Sequence, residues 1–405
     1  SDVCSSDLED IKMGTITESA KAFMPKLSEI RRDFHMHPEV SQHEERTGKK
    51  VAEYLKEMGC DEVYENVGGY GVVGVIKGKK PGKVVALRAD MDALQIQEMN
   101  EVPYKSQNDG VMHACGHDNH MTGLLGAAML LCERREEIAG TVKLIFQPAE
   151  EMSPVGGSRG MLHSGYMDDV EAVFGLHVWP DLPHGKIGVK AGPLMAATDH
   201  FTINIHGKTA HGAKPNQGID AVVLGSQFVM AAQTIVSRKV DPLDNAVVTF
   251  GIFNAGTRYN IIAGDCTLDG TVRTLNEDTR AMIEDSMRKT LDGLCLQSGA
   301  TADINYGHGY PALVNHEEDA ELIRNTAIKL FGKDDVVDVK LPAMPAEDFS
   351  FYLKEKKGAF VWLGTAKQDQ DPVWPLHNSR FDVDEDILWR GSSLLAQRSE
   401  ERRVG

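Results

Sequence analysis

Short β-branched apolar runs recur along the chain with helical stretches between them: "KVVALRAD" (83–90), "TVKLIFQ" (141–147), "EAVFGLHV" (171–178) and, far downstream, "GAFVWLGT" (358–365). Each is apolar on both faces, which predicts central strands of a sheet covered by helices on each side. Between the first two, Met121, Leu124, Leu125, Ala128 and Leu131 recur at helical spacing, so a helix is expected over 118 to about 138, starting near Asp118. The class is α/β, with a central, mostly parallel sheet flanked by helices. From about 194 the order changes. "HFTINIHG", "GIDAVVLGSQFVMAAQTIVSR", "NAVVTFGIFNAG", "CTLDGTVRTL", "DTRAMIEDSMRKTLDGLCLQSG" and "TADINYG" read as strand, helix, strand, strand, helix, strand. That is the ferredoxin-like βαββαβ order, expected as an inserted lid over 194–306, with the catalytic domain built from 9–193 and 307–397.

Both ends lack this patterning. "SDVCSSDL" (1–8) and "RSEERRVG" (398–405) carry no apolar periodicity, resemble translated sequencing-adapter read-through and are read as non-native tails. "GGYGVVGVIKG" (68–78) lacks the GxGxxG spacing and the following helix of a dinucleotide site, so it reads as a hairpin.

Composition narrows the function classes. No apolar run approaches the roughly 18 residues of a membrane-spanning helix, so no membrane partner is expected. With 43 Lys and Arg against 60 Asp and Glu, a net charge of -17, nothing basic is available to grip a phosphate backbone, and nucleic acid is excluded as a partner. Six scattered cysteines in 405 residues do not make a disulfide framework and fit a reduced, cytoplasmic setting.

Candidate chemistry gathers in "VMHACGHDNHMTG" (111–123), where Cys115 and His117 precede the predicted helix. Asp90 and Asp92 follow one predicted strand, Glu150 and Glu151 follow another through "QPA", and His177 closes a third. Sites in open α/β sheets form at the carboxyl ends of strands, so these distant segments point their polar ends at one edge. Mixed sulfur, imidazole and carboxylate donors suit zinc, manganese, cobalt or nickel better than calcium or magnesium. Glu150 and Glu151 need nearby positive charge if both are to ionise, which allows one to bind metal while the other handles a proton. His113 and His120 are expected to orient the donors rather than ligate, and His35 and His37 to pack or cap. By residue type alone, His377 is as readily a structural loop residue, Arg273 a surface cation and Asn260 a turn residue; His211, beside glycines at a turn, is open to either reading.

Taken in order, "RRDFHMHPE", "LRADMDAL", "HACGHDNH", "IFQPAEE", "GLHVWP", "KTAHGAKPNQGIDA", "RYNII", "GTVRT", "EDFSFYL" and "LHNSRFD" resemble the aminoacylase and hippurate-hydrolase branch of the dinuclear metallopeptidase family, which also holds auxin-conjugate hydrolases. The resemblance spans roughly 25–395. It implies two divalent ions per subunit, bridged by Cys115, with His117 and His177 completing one site and Glu151 and His377 the other. It implies Glu150 as general base and Asp92 behind the ligands. Asn260 and Arg273 would hold the substrate carboxylate, and His211 would reach across a homodimer formed by the lid. The implied reaction is hydrolysis of N-acyl-L-amino acids of acetyl, benzoyl or indole-acetyl type. "EEMSPVGGSRGML" and "IIAGDC" depart from the family's commoner sequences, which bears on substrate preference and touches no donor. Three other readings stay open: a metal-dependent dipeptidase or carboxypeptidase, a cysteine hydrolase with Cys115 as nucleophile and His117 as base, and a structural metal-binding protein.

Overall fold

The computed structural model describes residues 15–366 and 372–401, with backbone alone for 398–401. The segment 1–8 lies outside the described residues, as do the side chains of 398–405; the backbone of the helix Leu388–Glu401 runs into the latter segment.

A hairpin opens the large sheet, β1 (Glu62–Val67) and β2 (Gly71–Lys77), turning at Gly68, Gly69 and Tyr70. Next come β3 (Lys80–Asp90), β4 (Ala139–Gln147), β5 (Ala172–Pro183) and the short β6 (Ile187–Val189). The chain then leaves through β7 (Gly192–Met195) for a second sheet made of β8 (Ala197–His206), β9 (Ala246–Ala255), β10 (Asp265–Thr274) and β11 (Thr301–His308). It returns by β12 (Leu313–Asn315), which pairs with β7, and ends the large sheet with β13 (Val336–Asp338) and β14 (Lys357–Ala366). The large sheet has the order β1-β2-β4-β3-β5-β14-β6-β13.

The four apolar runs of the sequence are the four middle strands, β4-β3-β5-β14, and every joint among them is parallel. Antiparallel pairing enters only outside that centre, at β1-β2, β2-β4 and β14-β6. One face carries Ile30 and Phe34, Val51 and Leu55, Leu124 and Leu131, Ile323 and Leu394, all from helices; the other carries Met161, Leu162, Tyr352 and Leu353. Two-sided burial is why these strands are continuously apolar. The helix predicted over 118–138 runs His117–Glu133 and gives way to a short 3-10 turn at Arg135–Glu137.

The second sheet is antiparallel in the order β11-β8-β10-β9, with the helices Ala221–Lys239 and Glu277–Ser298 packed on one face around Phe201, Ile203, Phe228, Leu268 and Met287. This is the ferredoxin-like unit read from the sequence. Its other face carries polar pairs: His200 and Thr202 bond Asp269, and His206 lies between Asp265 and Asp303, with Val247 and Ile252 exposed beside them. No described helix is long and apolar enough to cross a membrane.

Candidate active site

Because β3, β4 and β5 run the same way, their ends deliver polar residues to one edge of the sheet. Asp90 and Asp92 arrive from β3, Glu150 and Glu151 from the turn after β4, and His177 from within β5. Cys115 and His117 come from the loop and first turn of the helix Gly116 precedes. Gly116 takes φ +87°, and a Cβ there would come within 2.4 Å of Val178 Cγ2. Only glycine fits both demands, so the "HACGHD" turn depends on it.

The Cys115 sulfur lies 3.4 Å from His177 Nε2. Cys115, His117 and His177 each offer a donor atom within 4.8 Å of the others, and so do Cys115, Glu151 and His377. Two donor groups therefore share one sulfur. His377 Nε2 is 3.2 Å from Glu151 Oε1, and its backbone amide donates to Ala114 O at 2.8 Å, tying the C-terminal loop to the cysteine loop.

Hydrogen bonds assign the imidazole protons. A carbonyl oxygen only accepts, so His177 Nδ1, 2.6 Å from Val178 O, is the donor and its Nε2 presents a lone pair to the cleft. His117 Nδ1 likewise donates to Asp92 O at 2.9 Å, and its buried Nε2 has no hydrogen-bond partner. This is the arrangement by which a fold aims histidines at a metal. His120 is different: Nε2 accepts from Val178 N at 2.9 Å and Nδ1 donates to Asp90 at 2.6 Å, so both nitrogens are spent on orientation.

Charge in the site is unbalanced toward the negative. Burial lowers the His117 pKa, yet Asp90, Asp92 and Glu151 together raise it to about 10. Burial pushes the Cys115 thiol up, with Glu151, Glu150 and Asp90 adding to it. Burial also pushes the Glu150 carboxyl well up, aided by Glu347, Glu151, Asp348 and Asp92. The pull that these carboxylates exert on a proton they would exert on a divalent cation. A sulfur, imidazoles and a carboxylate of this spacing fit ions of the zinc, manganese, cobalt or nickel type.

Asp92 braces the site, taking His117 Nδ1 at 3.2 Å on one oxygen and Ser41 Oγ at 2.6 Å and Glu151 N at 3.0 Å on the other. Arg273 reaches the same cleft, of about 240 Å³, from β10 of the second sheet, so the cleft lies between the two sheets. His211 and Asn260 do not line it. They sit together beyond the ends of β8 and β10 opposite Thr198 and Arg273, where Gly212 N donates to Asn260 O at 2.8 Å, and His211 is exposed.

Several residues of the site were not singled out in the sequence. Arg88, fully buried, donates to Asp90 at 2.6 Å, Gln147 at 2.9 Å and Asp348 at 2.8 Å, with Glu347 at 3.0 Å. An arginine inside an apolar strand, with two adjacent acids waiting in "AEDFSF", was the available signal. The Tyr310 hydroxyl donates to Glu150 O at 2.6 Å, and nothing local announces it. His35, expected to pack or cap, instead bonds Asp118 at 2.7 Å and Glu98 at 3.2 Å, in a buried network with Arg31 behind the first turn of the His117–Glu133 helix.

Residues 86–400 match the family described as Peptidase family M20/M25/M40. The chain is 44% identical over 288 residues to an N-acyl-L-amino acid amidohydrolase of Geobacillus stearothermophilus, covering 71% of this chain and 77% of that one. It is 41% identical over 373 residues to Thermostable carboxypeptidase 2 of Saccharolobus solfataricus, covering 91% and 94%. Among solved structures it is similar to the YXEP protein of Bacillus subtilis, described as a dinuclear metal binding peptidase from the M20 family, with 37% identity, a TM-score of 0.83 and coverage of 94% and 98%. The chain belongs to peptidase family M20/M25/M40 and is a hydrolase of that family.

Proposed function

We propose that this hydrolase cleaves the amide bond of N-acyl-L-amino acids, releasing a carboxylate and a free amino acid. The observation that carries the reading is one cysteine sulfur shared by two donor groups, beside a buried Glu150 and in one cleft with Arg273, which makes no ion pair among the described residues. His117 and His177 would hold one divalent ion with Cys115, and Glu151 and His377 the other. Such ions, when bound, supply positive charge that lowers the pKa of a water and polarises an amide carbonyl.

Glu150 then takes the proton of the water as its oxygen attacks the carbonyl carbon. When the C–N bond breaks, Glu150 returns that proton to the leaving nitrogen. Arg273 grips the α-carboxylate of the departing amino acid through paired hydrogen bonds, which a lysine cannot match. Arg273→Ala is expected to raise KM for an N-acetyl amino acid at least tenfold, with little change for the corresponding N-acetyl amino acid amide; an equal effect on both would remove Arg273 from that role.

His211 and Asn260 are too remote to serve the cleft of their own chain, and we assign them to that of a second copy. Exposed Val222, Val223, Met230, Ile252 and Phe253 on the small unit support pairing through the lid. Glu150→Gln and His211→Ala chains, each inactive alone, should recover measurable turnover after subunit exchange; no recovery in exchanged dimers would contradict the shared site.

The carboxypeptidase relative favours a second reading, cleavage of peptides with a free C-terminus. A dipeptide compared with its N-acetyl analogue separates the two. N-acyl specificity predicts that the free ammonium costs at least tenfold in kcat/KM, and faster cleavage of the dipeptide would select the peptidase reading.

A further inference from the structure

We infer that Glu44 is a positioning residue of the active site, whose buried carboxylate holds the Ala149 amide and thereby the left-handed bend that turns Glu150 and Glu151 into the cleft. The inference rests on the hydrolase reading above for its kinetic consequence and on hydrogen bonding for its geometry.

Glu44 occupies the N-cap position of the helix Glu45–Glu57 but makes no capping bond to it. Glu39 does that work, accepting from Arg46 N at 3.1 Å and Thr47 N at 2.8 Å. Released from its own helix, the Glu44 side chain, fully buried, accepts from Ala149 N at 2.8 Å across 105 residues of sequence. Ala149 takes φ +55°, a region that a residue with a Cβ rarely adopts unless something holds it there.

The next two residues are Glu150 and Glu151, whose side chains leave a left-handed turn in directions an extended backbone would not give. Each is fixed from another part of the chain: Asp92 Oδ2 accepts from Glu151 N at 3.0 Å, Tyr310 donates to Glu150 O at 2.6 Å, and Asp348 N donates to Glu150 Oε1 at 3.3 Å. Glu44 bonds the residue at the bend itself, Ala149, through its backbone amide. Burial, with Asp92 close by, pushes the Glu44 carboxyl up to about 7. The fold keeps two neighbouring carboxylates there, and each accepts a backbone amide of the Glu150–Glu151 turn. A packing role alone would be filled better by an apolar side chain.

The test uses Glu44→Ala, Glu44→Gln and the pair Glu44→Ala/Ala149→Gly, with an N-acetyl amino acid as substrate and melting temperature as a fold control. Glu44→Ala is expected to lower kcat about 100-fold with KM within threefold, the size of loss that follows a small displacement of reacting groups. Glycine adopts positive φ without support, so Ala149→Gly should return at least tenfold of that loss. Glu44→Gln keeps an acceptor oxygen and should lose less than tenfold. Independently of turnover, hydrogen exchange at the Ala149 amide should be at least tenfold faster in Glu44→Ala than in the wild type. Unchanged exchange, kcat within threefold of wild type, no recovery in the double variant, or a Glu44→Gln variant as impaired as Glu44→Ala would each overturn the inference. A wild-type chain that leaves every N-acyl amino acid intact would overturn the proposed function instead, and the exchange measurement would still decide the role of Glu44.

Discussion

Glu150→Gln is expected to lower kcat by about 10³- to 10⁴-fold, the upper part of the range for loss of a general base, while the chain keeps its metal content. Glutamine has nearly the shape of glutamate and retains an oxygen for the Asp348 amide, which lies 3.3 Å from Glu150 Oε1. It cannot take a proton. The Glu150 backbone remains held by Tyr310, and Glu151 by Asp92, so the donor groups around Cys115 keep their places. Assay of turnover beside elemental analysis of the same sample separates base from ligand. Loss of metal together with activity would make Glu150 a ligand, and retained activity would remove it from the mechanism.

Cys115→Ala should be as severe for a different reason. Its sulfur belongs to both donor groups, so under the proposed reading its removal would take a donor from two ions at once. We expect activity to fall at least 10³-fold and bound metal to drop below one ion per chain. Cys115→Asp restores an anionic donor without a sulfur nucleophile and should recover at least tenfold over Cys115→Ala. A cysteine hydrolase would gain nothing from aspartate. That reading takes His117 as base, whereas the imidazole nitrogen 3.4 Å from the sulfur is His177 Nε2, and such an enzyme would be indifferent to chelators.

Cys115, His117, Glu151 and His177 stood out because each follows an apolar run or lies at the start of a predicted helix, and parallel strands carry such ends to the same edge. Glu151 and His177 could be paired with Cys115 on that ground alone. His377 could not, because it closes no strand and adopts φ +63°, a conformation that residue type does not announce. Its place beside Glu151 came only from resemblance and then from geometry. The short strands β6, β7, β12 and β13, of three or four residues, have too few positions to show a period, and none was anticipated. Arg88, Tyr310 and Glu44 were missed for another reason: each has a partner far along the chain, Ala149 at 105 residues from Glu44, Glu150 at 160 from Tyr310 and Asp348 at 260 from Arg88, and only the folded chain brings them together. His211 and Asn260 show the reverse. Residue type marked a presented turn at His211 and a turn residue at Asn260, and only the resemblance said which cleft either serves.

The central claim is that one sulfur is shared between two cations. Elemental analysis of the active wild-type chain, repeated on Cys115→Ala under the same metal supply, tests it most directly. The account predicts two divalent ions per active chain, loss of turnover on chelation, its return when metal is restored, and fewer than one ion in the variant. Full turnover in a wild-type chain carrying less than a tenth of an ion, or a Cys115→Ala chain that still holds two, would contradict it.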